Sequence, residues 1–215
     1  MKKELVIFGA GGFGREMMWQ IGRCPELAVK YDILGFTDDA ASLYGKIVDG
    51  FPVIGTRETL ASFDRPVDVF ICIANPAARR EIFAYLSENP LISFPPFVAD
   101  NAVVAEPALL GRGAIICVSC VLTVNVTIGE FAIIDCHSVI GHDSVIGDYS
   151  TVYPSASIAG HVTVGLSCEI GTGACIIQGI TVGKRVILGA GAVAISDIPP
   201  ECTAVGVPAK PVKFR

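Results

Sequence analysis

Three histidines occur in the 215-residue sequence, and one of them is followed directly by a carboxylate, in Gly141-His142-Asp143. An imidazole takes up and releases protons near neutral pH, and a neighbouring carboxylate fixes its ring in one tautomer. The pair therefore has the composition of a general base and its orienting acid. A lone His-Asp pair is more often a solvated polar turn, so the interpretation depends on what stands beside it.

A second candidate is the glycine-rich segment 9–14, which reads Gly-Ala-Gly-Gly-Phe-Gly. It follows a run with strand character and precedes a helical pattern, the context in which GxGxxG binds phosphate through backbone amides. The acidic pair Asp38-Asp39 follows the next strand-like run, where that strand would end close to a bound nucleotide. We predict a site for a phosphorylated nucleotide; the alternative is a tight strand-to-helix turn without a ligand.

Eight cysteines are present, but they lie in apolar surroundings such as Ile71-Cys72-Ile73. We expect reduced, mostly buried thiols. Cys117 and Cys120 have CxxC spacing, but no second CxxC pair is present to complete a zinc site, and the repeat described below accounts for the spacing. No metal site is predicted.

The balance of residue types excludes several classes of protein. Hydrophobic residues make up 52% of the chain and charged residues 17%, which rules out disorder. No stretch of about 20 residues is free of both charge and clustered small polar residues, so we expect no membrane insertion. The net charge of −5 argues against broad nucleic-acid binding and favours small-molecule partners. The first residues show no signal-peptide cleavage pattern, which predicts a cytoplasmic protein.

The elements that must position these residues differ between two parts of the chain. Residues 5–97 alternate strand-like runs with helical patterns, which predicts a Rossmann-like α/β domain with a parallel sheet and crossover helices. The predicted strands are Leu5–Gly9, Ile33–Thr37, Val67–Ala74 and Ile92–Phe97, and the predicted helices lie near residues 14–24, 56–62 and 76–88.

From Val98 onward, an aliphatic residue recurs at every sixth position through Leu188. A small or β-branched residue stands four positions after each of these residues, here called anchors, and glycine often follows the anchor directly, where it would serve the turns. The pattern predicts an all-β parallel β-helix of hexapeptides with the anchors in its interior. The anchors are Val98, Val104, Leu110, Ile116, Leu122, Ile128, Ile134, Ile140, Ile146, Val152, Ile158, Val164, Ile170, Ile176, Val182 and Leu188. We therefore expect an α/β domain over residues 1–97, the β-helix over 98–195 and a tail over 196–215 that closes it.

Three hexapeptides per triangular coil place residues that are 18 apart one above another. Gly160 then lies next to His142 on the adjacent coil, and Asp143 lies between Asn125 and His161. A backbone without a side chain beside His142 is what an oxyanion site next to a general base requires. Because no loop interrupts the repeat, a site must be built from turn residues and neighbouring chains, which predicts an oligomer.

The hexapeptide run, the closing segment Ala204-Val-Gly-Val-Pro208-Ala-Lys210 and the glycine-rich α/β part together resemble the left-handed β-helix acyltransferases of the sugar-nucleotide and sialic-acid type. Within these, the whole chain is most similar to the bacillosamine and perosamine N-acetyltransferases. The resemblance implies a left-handed coil, a homotrimer and acetyl-CoA as the acyl donor. The acceptor that it implies is the amine of a nucleotide-linked amino-dideoxy sugar of bacterial surface glycans, with a UDP-linked 4-amino sugar as the leading expectation.

The resemblance also assigns roles to residues. The family has an acidic residue directly after its catalytic histidine, so His142 is expected to be the base, Asp143 its orienting carboxylate and the Gly160 amide the oxyanion donor. Thr172 and Ala190, which are 18 apart, would hold the acyl-CoA through their backbone together with Gly160. The N-terminal part would hold the nucleotide sugar through Gly9, Gly11, Gly12, Phe13, Asp38, Asp39, Ala74 and Asn75.

Two positions depart from the family pattern. Thr151 stands where many relatives have a second histidine, which implies an altered polar contact to the acetyl group. Asp135-Cys136 stands where relatives often have Asn-Thr. Asp135 either contacts the amine of the acceptor or caps a turn, and both interpretations stay open. The nucleotide base, the sugar and the position of the amine are not determined by the sequence.

Sequence features distinguish four other functions from this one. An O-acetyltransferase acting on sialic acid or another sugar would use the same base and donor but has no nucleotide to place in the N-terminal part. A metal-dependent hydratase of the γ-carbonic-anhydrase type uses two histidines five apart, as His137 and His142 are, but no histidine lies near residues 101–106 to complete its site. An NAD-dependent oxidoreductase needs more than about 97 residues for both dinucleotide halves and a substrate domain. A purely structural β-helix would not need the glycine-rich loop.

Overall fold

The computed structural model describes residues 2–215. Two compact units make up the chain, one that ends at Pro95 and one over Pro96–Arg215. The division falls at the two prolines where the hexapeptide pattern replaces the α/β pattern. Phe97–Val98 is the first strand of the second unit, so Phe97 lies on the far side of the division from the expected 1–97 domain.

The first unit contains a six-stranded sheet. In chain order its elements are β1 (Lys3–Phe8), α1 (Gly12–Arg23), α2 (Pro25–Lys30), β2 (Tyr31–Thr37), a 3-10 turn (Ala41–Leu43), β3 (Ile47–Val48), β4 (Phe51–Gly55), α3 (Arg57–Ala61), β5 (Val67–Ile71), α4 (Pro76–Leu86) and β6 (Ile92–Ser93). The strand order is β3-β4-β2-β1-β5-β6, and every neighbouring pair is parallel except β3 with β4. The predicted α/β class is confirmed. Among residues 2–215, no helix has both the length and the apolar character that crossing a membrane requires.

Three details of this unit differ from the sequence-based prediction. The strand expected to run to Ala74 ends at Ile71, because the cap of α4 follows soon afterwards. The helix α2 and the β3–β4 hairpin are not predicted by periodicity, since such short elements do not establish a period. The run Ile92–Phe97 contains two separate strands, because prolines 95 and 96 supply no backbone N–H to a ladder.

The second unit is a parallel β-helix whose strands stack at a spacing of 18 residues. Each two-residue strand pairs in parallel with the strand 18 positions on, as Ile115–Ile116 does with Ile133–Ile134. The coil has three faces. The first contains Phe97–Val98, Ile115–Ile116, Ile133–Ile134, Thr151–Val152, Glu169–Ile170 and Ile187–Leu188; the second contains Val103–Val104, Val121–Leu122, Val139–Ile140, Ser157–Ile158, Cys175–Ile176 and Val193–Ala194; the third contains Leu109–Leu110, Thr127–Ile128, Val145–Ile146, Thr163–Val164 and Thr181–Val182. The predicted coil and its register are confirmed.

The anchors fill the interior of this coil. From Ile116 onward every anchor is buried, whereas the three anchors before it are half-buried. The position four residues after an anchor also points inward, and it accepts small polar side chains as well as alanine. Ser144 is an example, because its Oγ donates to the backbone oxygen of Ala159 on the next coil at 2.9 Å. Polar atoms in the interior are thus satisfied by the neighbouring coil.

The prediction that the glycine after an anchor serves the turns is wrong, because the structure shows a different reason for it. From the anchor Leu110 onward, the left-handed backbone position of each turn is the third after the anchor, and it mostly carries other residues, among them Asp143 (φ 58°) and His161 (φ 57°). Gly141 instead approaches the next coil so closely that a Cβ atom would lie 2.5 Å from the carbonyl carbon of Ala159. Glycine is required there for the contact between coils and not for the conformation of the turn.

The tail first continues the coil and then turns back. Ile198 forms a parallel bridge with Val182, and Cys202–Val205 extends the first face beside Ile187–Leu188. Lys210–Phe214 then pairs antiparallel with Cys202–Val205.

Candidate active site

His142 and Asp143 lie at the corner between the second and third faces, two and three residues after the anchor Ile140. The Nδ1 atom of His142 is 2.8 Å from Oδ2 of Asp143. The His142 ring lies against Gly160 on the next coil, where a Cβ atom would stand 2.5 Å from both Cε1 and Nε2 of the ring. A carboxylate on one side and bare backbone on the other therefore orient the imidazole.

Asp143 is held by the adjacent coils as well as by His142. The Nδ2 atom of Asn125 donates to Oδ1 of Asp143 at 2.7 Å, and Nε2 of His161 lies 3.5 Å from Oδ2. The hydrogen bonds from Asn125 and then from His142 lower the pKa of Asp143, so the carboxylate stays ionised. An ionised acceptor at Oδ2 favours the tautomer with a proton on Nδ1, which leaves Nε2 of His142 free to accept a proton.

The amide of Gly160 is available as a hydrogen-bond donor. The Gly160 carbonyl accepts a hydrogen bond from the Gly179 amide at 3.0 Å. Within the described part of the chain, residues 2–215, the Gly160 N–H itself donates to no protein acceptor. A free amide beside a base is the donor that an oxyanion site uses. The role assigned to Gly160 stays a prediction.

The predicted coenzyme residues stand at a different corner from His142. Thr172 and Ala190 have the same phase as His142 in their hexapeptides, but they follow strands of the first face and lie, exposed, between the first and second faces. Asp135 lies at this corner too, and its Oδ1 accepts the amide of Cys136 at 2.7 Å, as a turn cap does. A single chain does not bring these residues to His142, and their roles stay predictions.

Two further positions stand out in the sequence, His137 as a potential metal ligand and Thr151 as a departure from the family pattern. His137 is exposed at the corner between the first and second faces, so its spacing of five residues does not place it beside His142. Thr151 is 1% exposed in the strand Thr151–Val152. Two clusters of potential metal ligands occur among residues 2–215, namely His142, Asp143 and His161, and Cys117, Asp135 and Cys136. His137 and His142, the two histidines that a hydratase of the γ-carbonic-anhydrase type would use, therefore lie at different corners of this chain.

The glycines of segment 9–14 fall into two groups. Gly9 has φ 106°, and a Cβ atom there would lie 2.8 Å from Cδ1 of Ile73; at Gly14 it would lie 1.7 Å from the Gly9 oxygen. Gly11 and Gly12 have open space where a Cβ atom would stand. Backbone conformation and packing thus explain Gly9 and Gly14, whereas Gly11 and Gly12 leave room for a ligand to approach the backbone.

The N-terminus of α1 is suited to an anion. Its cap residue is Gly11, which supplies no side-chain acceptor, and the first turn contains no acidic residue. The first amides of a helix have no acceptor within the helix, and the helix dipole makes this end positive. Gly12 and the half-buried Phe13 belong to this first turn. A phosphate group fits such an end.

Both acidic residues after β2 bind protein donors. Asp38 accepts the amide of Ala10 at Oδ2 and that of Ala40 at Oδ1, each at 2.8 Å. Asp39 accepts from Arg57 through the backbone amide at 3.1 Å and through Nε at 2.7 Å. Asp38 therefore ties the loop after β2 to the glycine-rich segment, and Asp39 ties it to the start of α3. Their contact with a nucleotide stays a prediction.

The three predicted nucleotide segments lie at one edge of the sheet. Residues 9–14 follow β1, residues 38–39 follow β2, and residues 74–75 come after β5, and these strands are parallel neighbours in the order β2-β1-β5. From β1 the chain passes to β2 on one side and then to β4, and it later crosses back to β5 on the other side of β1, so the strand order reverses at β1. Ligands of open α/β sheets bind at the carboxyl ends of strands at such a point.

Arg79 supports this edge and has no signal in the sequence. Its side chain is fully buried and donates from one terminal nitrogen to the carbonyl oxygens of Ile73 (2.5 Å) and Ala74 (2.9 Å). Asn75 caps α4 by accepting the amide of Ala78 at 3.0 Å. An arginine in an amphipathic helix is expected on the solvent side, so periodicity does not reveal that this one turns inward.

Two family models match the chain. Residues 4–86 match the PglD N-terminal domain, and residues 125–160 match the bacterial transferase hexapeptide of six repeats. A search of curated protein sequences gave no match.

Solved structures are similar over nearly the whole chain. The acetyltransferase domain of PglB from Neisseria gonorrhoeae FA1090, in complex with acetyl coenzyme A, is 30% identical with a TM-score of 0.90, covering 99% of this chain and 100% of that one. PerB from Caulobacter crescentus, in complex with CoA and GDP-perosamine, is 28% identical with a TM-score of 0.88, covering 98% and 97%. WeeI from Acinetobacter baumannii AYE is 30% identical with a TM-score of 0.86, covering 98% and 100%. The chain belongs to the left-handed β-helix sugar N-acetyltransferases that begin with a PglD-type N-terminal domain.

Proposed function

We propose that this protein transfers the acetyl group of acetyl-CoA to the amine of a nucleotide-linked amino sugar. The observation that carries the proposal is the His142–Asp143 hydrogen bond with the His142 ring against the Gly160 backbone. The complexes of PglB with acetyl coenzyme A and of PerB with CoA and GDP-perosamine support the two substrates.

The chemistry follows from the positions of these groups. The amine nitrogen attacks the carbonyl carbon of the thioester, and Nε2 of His142 accepts the proton that the nitrogen loses. The Gly160 amide donates to the oxyanion of the tetrahedral intermediate, while Asp143 stabilises the imidazolium. The carbon–sulfur bond then breaks, and the departing CoA thiolate takes the proton from His142.

The acceptor is held, in this proposal, by the carboxyl edge of the N-terminal sheet. The open N-terminus of α1 receives the diphosphate, and the absence of side chains at Gly11 and Gly12 lets it reach the amides. Asp38, Asp39 and the loop at Ala74-Asn75 surround the nucleoside. A UDP-linked 4-amino sugar is the first acceptor to test.

We also propose that the enzyme is a homotrimer that packs through the second face of its coil. This face lies between the corner with His142 and the corner with Thr172 and Ala190, so threefold packing would join the base of one chain to the coenzyme residues of the next. Its outward side chains include Val103 and Val139, which are 59% and 38% exposed in the single chain. Apolar side chains of this kind are typical of a surface that a subunit covers.

We further propose a cytoplasmic location. None of the eight cysteines takes part in a disulfide within residues 2–215, and most of them are buried. Unoxidised cysteines in this number are typical of a reducing compartment.

The substitution His142→Ala tests the catalytic proposal. We expect kcat to fall by about 10² to 10⁴, because a general base is removed. CoA release would be measured with UDP-, GDP- and dTDP-linked 3- and 4-amino sugars, which also identifies the acceptor. Lys184→Ala is the matched control, since Lys184 is an exposed residue of the same phase at the third corner of the coil. Turnover of His142→Ala near that of the control would refute the assignment.

A further inference from the structure

Two thiols and a carboxylate meet at the corner between the first and second faces. The Sγ atoms of Cys117 and Cys136 and a carboxylate oxygen of Asp135 all lie within 4.8 Å of one another. Asp135 stands 18 residues after Cys117 and is therefore its neighbour on the next coil, beside the paired strands Ile115–Ile116 and Ile133–Ile134. The register of the β-helix thus builds the cluster from residues that are distant in the chain.

The carboxylate of Asp135 is oriented by a backbone donor but is not paired with a cationic side chain. Its Oδ1 accepts the Cys136 amide at 2.7 Å. Among residues 2–215, Asp135 takes part in no ion pair. The corner therefore presents a negative charge beside two thiols, which favours a cation there.

The two cysteines of the CxxC pair have different environments. Cys120 points into the coil, where its Sγ donates to the backbone oxygens of Asp135 at 3.1 Å and Ile134 at 3.5 Å. These two donations satisfy the Cys120 thiol inside the coil, so it serves the interior and not the corner. Cys117 is the member that faces Asp135 and Cys136.

These donors suit a soft or borderline metal ion. A tetrahedral Zn²⁺ with thiolates at about 2.3 Å separates two sulfur atoms by about 3.8 Å, so ligand atoms within 4.8 Å of one another need shifts of about 1 Å or less. Mg²⁺ and Ca²⁺ prefer oxygen ligands and would not select this set. Cys117 is buried whereas Cys136 is half-exposed, which leaves one side open for entry and for a water ligand.

We propose that Cys117, Asp135 and Cys136 form a binding site for a divalent cation of the Zn²⁺ and Cd²⁺ class. Binding replaces the two thiol protons with the metal and releases them to solvent, while the carboxylate supplies the third ligand. Within one chain the site stands at a different corner from His142, and its test by metal binding does not depend on the transferase proposal.

The test is a Cd²⁺ titration of the reduced 215-residue protein, followed by calorimetry and by the ultraviolet charge-transfer band of a cadmium thiolate. We expect one Cd²⁺ per chain with that band, and competition by Zn²⁺ but not by Mg²⁺. Cys136→Ser, at the half-exposed ligand, should weaken binding by about a hundredfold or more, and Asp135→Asn by about tenfold. Cys24→Ser is the matched control, because Cys24 lies in the other unit and serine is a favourable cap for α2.

Three outcomes would overturn the proposal. One is Cd²⁺ affinity and absorption that persist unchanged in folded Cys136→Ser and Asp135→Asn proteins. Another is a thiolate band that is lost in Cys175→Ser instead, which would place the site on the second face. The third is binding without a thiolate band, which would assign the ion to His142, Asp143 and His161.

Discussion

Residues of three successive coils set the orientation of His142. Asn125 on the preceding coil holds one oxygen of Asp143, and the other oxygen of Asp143 faces Nδ1 of His142. On the following coil, Gly160 leaves space for the ring. Each of these residues is fixed by the stacking of the β-helix, so the imidazole needs no flexible loop to position it. Such pre-organisation is what a general base requires.

The substitution Gly160→Ala tests whether the position of the His142 ring affects catalysis independently of the stability of the coil. The added Cβ atom would stand 2.5 Å from two atoms of the His142 ring, and a ring at the end of a side chain can move where backbone cannot. We therefore expect kcat to fall by about 10², with a free energy of unfolding close to that of the wild type. Steady-state kinetics and chemical denaturation would measure the two effects.

Gly22→Ala is the matched control for that substitution. Gly22 lies in α1 with open space where a Cβ atom would stand, so alanine should leave kcat unchanged and stabilise the protein by up to about 1 kcal/mol. If Gly160→Ala were as active as Gly22→Ala, the contact between the His142 ring and residue 160 would have no role in catalysis.

The neighbours of His142 are predictable from the sequence, but those of the acidic residues after β2 are not. Stacking at 18 residues places Gly160 beside His142 and Asn125 beside Asp143, because the repeat has no insertion. The same register puts Asp135 beside Cys117, a signal that a search for CxxC pairs overlooks. The partners of Asp38 and Asp39 depend on side-chain conformations in irregular loops, which no periodic pattern encodes.

One hydrogen-bonding rule explains the polar residues inside the coil. The small inward position carries serine or cysteine in several turns, and each of these side chains donates to the backbone oxygen 15 residues on. The donors are Cys120, Ser138, Ser144, Ser150 and Cys168. A narrow coil thus tolerates polar atoms inside because its corners turn carbonyl groups inward.

The substitution Ser150→Ala tests this rule. The Oγ atom of Ser150 donates to the Gly165 oxygen at 2.8 Å and accepts the Cys168 amide at 2.9 Å, so alanine leaves a buried amide and a part-buried carbonyl oxygen without this partner. We expect the free energy of unfolding to fall by about 1 to 3 kcal/mol. Ser157→Ala, at an exposed strand position, should change it by less than about 0.5 kcal/mol. Denaturation at one fixed protein concentration measures both, and equal effects would refute the rule.

The elements themselves are predictable to the extent that they repeat. Sixteen anchors in one register determine the coil, and alternating strand and helix patterns determine the α/β unit. The helix α2 and the β3–β4 hairpin escape prediction because their stability comes from contacts within the folded unit and not from a periodic pattern of their own. Glycine after an anchor is visible in the sequence, but its cause, the close approach of two coils, appears only in the structure.

Within each chain, the coil places complementary parts of the proposed site at two different corners. His142 stands where the second face meets the third, and Thr172 and Ala190 stand where the first meets the second. The proposed substrates must contact both sets. A closed threefold assembly satisfies this requirement with a single kind of interface, because each chain supplies one corner to each neighbour.

Mixing two inactive variants tests this arrangement. His142→Ala removes the base but keeps the coenzyme corner, whereas Ala190→Trp fills the coenzyme corner with a large side chain but keeps the base. Each variant alone should be inactive, and co-expressed chains with two different tags should recover activity at about a quarter of their sites, where both intact corners meet. Lys184→Trp, at the third corner, should stay active and controls for the bulk of tryptophan. Mixed trimers without recovered activity, or a single chain in analytical ultracentrifugation, would contradict a site shared between subunits.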